Sequence, residues 1–156
     1  MSCRVISNLH WARQGPNPWP KSRSRGAKRQ GLLYQTAVCQ TLRLKEGLWW
    51  EFEDDQGPGW CSPDGLAMAG GRLVVVEVKL TQTLEAFRQL RDLYAPVLTL
   101  AFGQKPLLVA MCKNRTPEPW PGPSVTTMKE ALEASGLPLL HLPWPKTGAT
   151  RARSRG

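Results

Sequence analysis

The chain has 156 residues and a formal net charge of +9, from 21 Lys and Arg against 12 Asp and Glu. That length gives one domain with a real core, and no apolar run approaches the eighteen or more residues that a membrane helix needs. The charge is unevenly placed: residues 1–30 carry Arg4, Arg13, Lys21, Arg23, Arg25, Lys28 and Arg29, the end carries Lys146, Arg151, Arg153 and Arg155, and neither segment has an acid.

In chain order, residues 1–30 combine that basic run with Pro16, Pro18 and Pro20. They read as a flexible arm outside the folded domain. Trp11 and Trp19 could stack on bases or pack on the domain surface. Residues 31–144 form the domain, and 145–156 a second basic tail. A nearly neutral domain with two basic ends points to a polyanion, nucleic acid first; the plainer reading is that the ends aid solubility. Four cysteines, Cys3, Cys39, Cys61 and Cys112, have no C-x-x-C spacing, and neither His10 nor His141 has a partner at zinc-ligand spacing. Buried thiols, no signal peptide and a reducing, cytoplasmic location are the expectation.

A helix is expected over 31–45, with Leu32, Leu33, Ala37, Val38, Leu42 and Leu44 as its apolar stripe. Residues 48–53 (LWWEFE) alternate as a strand, with Leu48, Trp50 and Phe52 on one side and Trp49, Glu51 and Glu53 on the other. Glu51 or Glu53 could add a carboxylate to a site, but a solvent-facing acidic edge accounts for them as well. Residues 54–58 read as a loop.

The stretch GWCSPDGLAMAGGRLVVVEVKL, residues 59–80, organises the rest. Gly70-Gly71 suits a two-residue hairpin turn, because both positions tolerate positive φ. Ala69 then faces Arg72, and the register sets Asp64 opposite Glu77 at a non-hydrogen-bonded position, where side chains approach most closely. Lys79 shares the face of Glu77 by strand alternation. Pro63 cannot donate to the ladder, so pairing breaks just before Asp64. Three ionisable groups on a strand that otherwise reads as buried are costly unless compensated. A hard divalent cation, Mg²⁺ or Mn²⁺, would compensate. Pro63-Asp64-Gly65 is also an ordinary turn tripeptide, and Glu77 and Lys79 could line a solvated strand edge.

Further on, Thr83 reads as the cap of a helix with Glu85 in its first turn and a buried stripe of Leu84, Phe87, Leu90, Tyr94 and Val97. Gln82, Glu85 and Gln89 line an adjacent face. Residues 106–113 read as an apolar strand, followed by a proline-rich loop with Trp120. A final helix, capped by Ser124 and ended by Gly136, precedes an edge strand over 137–142.

Pro63-Asp64, then twelve residues, then Glu77-Val78-Lys79 resembles the PD-(D/E)XK nuclease signature. The surroundings, about Gly31 to Lys113, are similar to that superfamily's αβββαβ core, an α/β fold with a small mixed sheet flanked by helices. The resemblance implies a Mg²⁺- or Mn²⁺-dependent nuclease acting on DNA. Asp64, Glu77 and the Val78 carbonyl would hold the metal, and Lys79 would position water or neutralise charge. It also implies a first-helix glutamate, and this chain has Gln35 there, a neutral amide. Nucleases of the RecB group carry a glutamine and a tyrosine four apart on the later helix; Gln89 and Tyr94 are five apart, roughly 140° round an α-helix, so Gln89 is kept as a site residue and Tyr94 as core. Lys21, Arg23, Arg25, Lys28, Arg29, Arg151, Arg153 and Arg155 would touch phosphates, and a homodimer is allowed. Two other readings stay open: a nucleic-acid-binding relative of the same fold that does not cut, and a small RNA-binding or assembly protein whose Glu-x-Lys is incidental.

Overall fold

The run Leu73–Val78 is buried at every position, as a strand covered on both faces must be. It is the centre of strand β5 (Arg72–Thr81) in a computed structural model that describes residues 5–14 and 26–144. β4 (Gly65–Ala69) pairs antiparallel with β5 through a turn at Gly70 and Gly71, whose φ values are +59° and +78°. The register is the expected one: Ala69 faces Arg72 and Gly65 faces Val76.

β5 continues in parallel to β6 (Leu107–Asn114), β8 (Leu139–His141) and β7 (Ser124–Val125), giving a mixed five-stranded sheet ordered β4-β5-β6-β8-β7. The segment 137–142 therefore supplies an inner strand and not an edge. The residues at Ser124 form the edge, and the last helix, α4 (Met128–Glu133), is capped by Thr127 in a reciprocal capping box with Glu130.

A second, antiparallel sheet holds β1 (Ser7–Gln14), β2 (Leu48–Asp54) and β3 (Gly57–Cys61) in that order. Two expectations change here. LWWEFE belongs to this sheet and not to the one that carries Asp64 and Glu77, because residues 57–61 turn back on it as a strand. Residues 1–30 are not an arm throughout: 7–14 pair with β2, and helix α1 (Gly26–Leu42) already begins at Gly26.

Alternation on β5 builds the layers. Leu73 and Val75 face a core with Trp50, Phe52, Leu90, Tyr94 and Leu98, which joins the small sheet to the helical segment after β5. Val74, Val76 and Val78 face Tyr34 and Val38 of α1 and Ala131 of α4. The helix therefore turns Tyr34, Val38 and Cys39 inward, while Leu32 and Leu33, expected in the stripe, are exposed. Tyr34 donates from Oη to the Leu142 carbonyl at 2.6 Å, which explains why that position is inward despite its hydroxyl. Cys39, Cys61 and Cys112 are buried free thiols, as expected. Among the described residues no helix is long and apolar enough to cross a membrane.

Candidate metal centre

The hairpin carries its chemistry just past the point where it stops pairing. Gly65–Val76 is the last ladder pair; one step further the register sets Asp64 opposite Glu77, and another step sets Pro63 opposite Val78. Hydrogen-bonded and non-hydrogen-bonded positions alternate, so the Pro63–Val78 position is a hydrogen-bonded one. Pro63 has no N–H, and the Val78 carbonyl is thus left without its ladder donor. The Val78 N–H donates instead to Asp64 Oδ2 at 2.8 Å. Pro63 thereby ends the sheet and also prepares a carbonyl and a carboxylate side by side.

Glu77 is 2 % exposed. Its Oε2 lies 3.3 Å from Lys79 Nζ, while its Oε1 is buried with no hydrogen-bond partner. The carboxyl groups of Asp64 and Glu77 are within hydrogen-bonding reach of each other. Burial, reinforced by the charge of Asp64 and only partly offset by Lys79, pushes Glu77 up to about 8. Burial also raises Asp64, against the lowering effect of the Val78 N–H. Without a cation the pair holds a proton near neutral pH.

The helical segment after β5 supplies two more groups. Thr83 Oγ1 accepts from the Glu85 N–H and starts α2 (Leu84–Gln89), as expected. The next turn, Leu90–Tyr94, is π-helical, before α3 (Ala95–Phe102) resumes the α-form. A turn closed by i→i+5 bonds brings residues five apart onto one face, and Gln89 Nε2 donates to Tyr94 Oη at 3.0 Å. Burial first, and then the charge of the neighbouring Glu77, drives the Tyr94 phenol pKa upward. Tyr94 is core, as expected, yet it also lies beside a site carboxylate and accepts from Gln89. The α-helical angle used for the sequence hid this, because nothing in the residue types announces a π turn. Gln89 Oε1 is buried without a partner. Gln82, by contrast, is a structural residue: it donates to the Glu118 carbonyl at 2.6 Å and accepts from the Thr116 N–H at 3.1 Å, fixing the proline-rich loop.

The donor set fits a hard divalent cation. The carboxyl groups of Asp64 and Glu77 meet, and two buried acceptors, Glu77 Oε1 and Gln89 Oε1, have no partner. Mg²⁺ is commonly held by one or two carboxylates with water completing its shell. Among the described residues no group of three or more His, Cys, Asp and Glu is arranged to hold one ion, so the carboxylate pair is the whole acidic complement of such a position.

The other expected residues lie apart. α1 covers the opposite face of β5 from Glu77, and Gln35, half-buried on α1, has no hydrogen bond to Asp64, Glu77 or Lys79. Glu51 and Glu53 are exposed on the small sheet, where they bond His10 at 3.2 Å and Asn8 at 2.8 Å. Lys28 and Arg29 are exposed in the first turns of α1. Lys21, Arg23, Arg25, Arg151, Arg153 and Arg155 lie outside the described residues.

One acid near the pair was not singled out from sequence. Lys45 forms an antiparallel bridge with Leu66 (N to O 2.7 Å and 2.9 Å), which closes the connection after α1 onto the free edge of β4. Gly65 makes room: a Cβ there would lie 2.7 Å from Leu44 Cδ1. Glu46 follows Lys45 and so stands opposite Gly65, next to Asp64. The Cys39 thiol donates to the Asp64 carbonyl at 3.5 Å, and burial together with the charge of Asp64 raises the Glu46 carboxyl.

No family model and no curated protein matches the chain. Its fold is weakly similar, with a TM-score of 0.36 and 14 % identity, to a repair endonuclease from Pyrococcus abyssi. That match covers 80 % of this chain and 50 % of the other, so the chain spans about half the length of that structure.

Proposed function

We propose that the chain is a nuclease of the PD-(D/E)XK type, which hydrolyses DNA phosphodiester bonds with Mg²⁺ or Mn²⁺. The observation that supports this most is the Asp64–Glu77 carboxyl pair, with Lys79 on it and a buried Glu77 oxygen left unpartnered. Asp64, Glu77 and the Val78 carbonyl hold the cation. When bound, the ion lowers the pKa of a water and offsets charge on the phosphate. Lys79, one third exposed at the side-chain level, orients the attacking water or neutralises the oxygen charge that builds up as the P–O bond breaks. Gln89 holds the Tyr94 hydroxyl by a hydrogen bond, and that hydroxyl is a neighbour of Glu77. The basic residues add affinity without sequence information; Lys28 lies on α1 eleven residues before Cys39, roughly 16 Å along the helix from the site.

Cleavage of linear, circular and junction DNA, with Mg²⁺, Mn²⁺ or EDTA, tests the reading. Metal-dependent cleavage that Lys79→Ala abolishes, with DNA binding retained, is the expected result. A second reading, a DNA-binding protein that does not cut, is favoured by the neutral Gln35. It would be supported by metal-independent binding without cleavage of any substrate. Absence of both binding and cleavage would remove both.

A further inference from the structure

A cleft of about 710 Å³ opens between α3, the starts of β5 and β6, and the connection from α4 to β8. That volume is within the range of about 300–1,000 Å³ that bound ligands fill. Arg72, on its rim, stands five residues before Glu77 on β5, roughly 16 Å along the strand, so the cleft is separate from the metal centre. Its walls are apolar: Pro96 and Leu100 from α3, Leu108 from β6, Leu137 after α4 and Ile6 before β1. The polar groups among them are already used. Thr99 Oγ1 donates to the Ala95 carbonyl, and the Leu137 carbonyl accepts from Trp120 Nε1 at 2.9 Å. Leu100 is nonetheless 58 % exposed. Arg72 and Lys105 complete the lining, and no Asp or Glu belongs to it; Glu133 directly precedes Ala134 of the lining but is not part of it. Arg72 Nε donates to the Lys105 carbonyl at 3.4 Å, which holds the guanidinium beside Lys105 and keeps its two terminal nitrogens for another acceptor. Neither cation is in an ion pair with an acid among the described residues.

An apolar floor under an uncompensated cationic rim matches a ligand that joins carboxylates to a hydrocarbon anchor. A DNA backbone would meet Arg72 and Lys105 and leave the floor wet, whereas a peptide supplies both kinds of group together. We infer that the cleft is a docking site for an acidic segment of a partner protein, which seats one large apolar side chain against Leu100 and Leu108 and sets carboxylates on Arg72 and Lys105. This goes beyond the nuclease reading and does not depend on it. The net charge of +9 on the chain speeds encounter with such a partner; the apolar floor is what makes the contact selective.

The test is fluorescence anisotropy of a labelled peptide of Asp, Glu and Gly with a single Phe, titrated with the full chain in EDTA and without DNA. A matched peptide with Ser for Phe carries the same charge. The Phe peptide should bind about 10–100-fold more tightly, the share of one large apolar side chain taken out of water. Arg72→Glu combined with Lys105→Glu should weaken it by about tenfold or more, and Leu100→Asp should remove most of the preference for Phe. All three positions are exposed; circular dichroism melts verify that the variants fold, and Leu100→Ala, a good helix former, should act in the same direction as Leu100→Asp. Equal binding of the two peptides, or unchanged binding of the Phe peptide by the double variant, would assign the attraction to the basic ends alone and overturn the inference. Weaker duplex DNA binding by the double variant, with no preference for Phe in wild type, would make the cleft a phosphate contact and overturn it too. The assay uses neither metal nor DNA cleavage, so its failure leaves the nuclease reading standing.

Discussion

Replacing Glu77 with Gln should stabilise the metal-free protein, although it alters the centre of the proposed site. In the fold, burial and the neighbouring Asp64 hold the Glu77 carboxyl up to about 8, whereas in the unfolded chain it titrates near 4.3. The folded state therefore binds more protons between these values, and linkage makes stability fall as pH rises from about 4.5 to about 8, then level off. A tenfold difference in proton affinity between the two states is worth about 1.4 kcal/mol, so the loss by pH 8 is on the order of 3–5 kcal/mol before relaxation of the pair with Asp64. Glu77→Gln keeps the shape, offers an amide donor to Asp64 and cancels most of that loss. At roughly 2–4 °C per kcal/mol for a chain of this size, the variant should melt several degrees above wild type at pH 8 in EDTA and nearly level with it at pH 5. Mg²⁺ at 100 times its Kd should then raise wild type by about 2.7 kcal/mol and leave the variant almost unmoved. Thermal melts of both proteins at the two pH values, with EDTA and with Mg²⁺, give the answer. An equal difference at pH 5 and pH 8 would refute the reasoning, because it would show that Glu77 carries no raised pKa in the fold.

Three more expectations follow from single interactions. Pro63→Ala restores an N–H opposite the Val78 carbonyl, so it should weaken Mg²⁺ binding in calorimetry while leaving the melting temperature within a few degrees. Tyr94→Phe removes the hydroxyl that accepts from the Gln89 amide; the buried amide left unpaired should cost about 1–3 kcal/mol, measured by urea unfolding. Replacing Lys21, Arg23 and Arg25 with Ser, which spares β1 and α1, should reduce the slope of log K against log salt by ~0.9 for each duplex phosphate that is no longer neutralised. An unchanged slope would mean that those residues do not touch the backbone.

What could be read in advance was local and periodic. The hairpin register was legible because Gly70-Gly71 admits one turn geometry and strand alternation then fixes every opposed pair. The break at Pro63 and the cap at Thr83 were legible for equally local reasons. β1 was hidden because its pairing with β2 shifts twice, between Ser7 and His10 and between Trp11 and Arg13, with Asn8 at a φ of +52°; a basic, proline-flanked segment gives no clean alternation. The inward face of α1 was misjudged because counting Leu32 and Leu33 as core ignored the hydroxyl partner that makes Tyr34 buriable. The Gln89–Tyr94 pair depended on a π turn, and Glu46 on a bridge formed at long range. Neither is encoded in short-range periodicity.

The central claim is that Asp64 and Glu77 bind a divalent cation, and crystals grown at pH 8 and soaked in Mn²⁺ test it most directly through the anomalous signal of the metal. The account predicts a peak between the two carboxylates, roughly 2.0–2.6 Å from the nearest oxygens, with the Val78 carbonyl turned toward it and Glu77 Oε1 no longer unpartnered. A map without a peak there, in which Asp64 and Glu77 remain joined by a shared proton at saturating Mn²⁺, would contradict it.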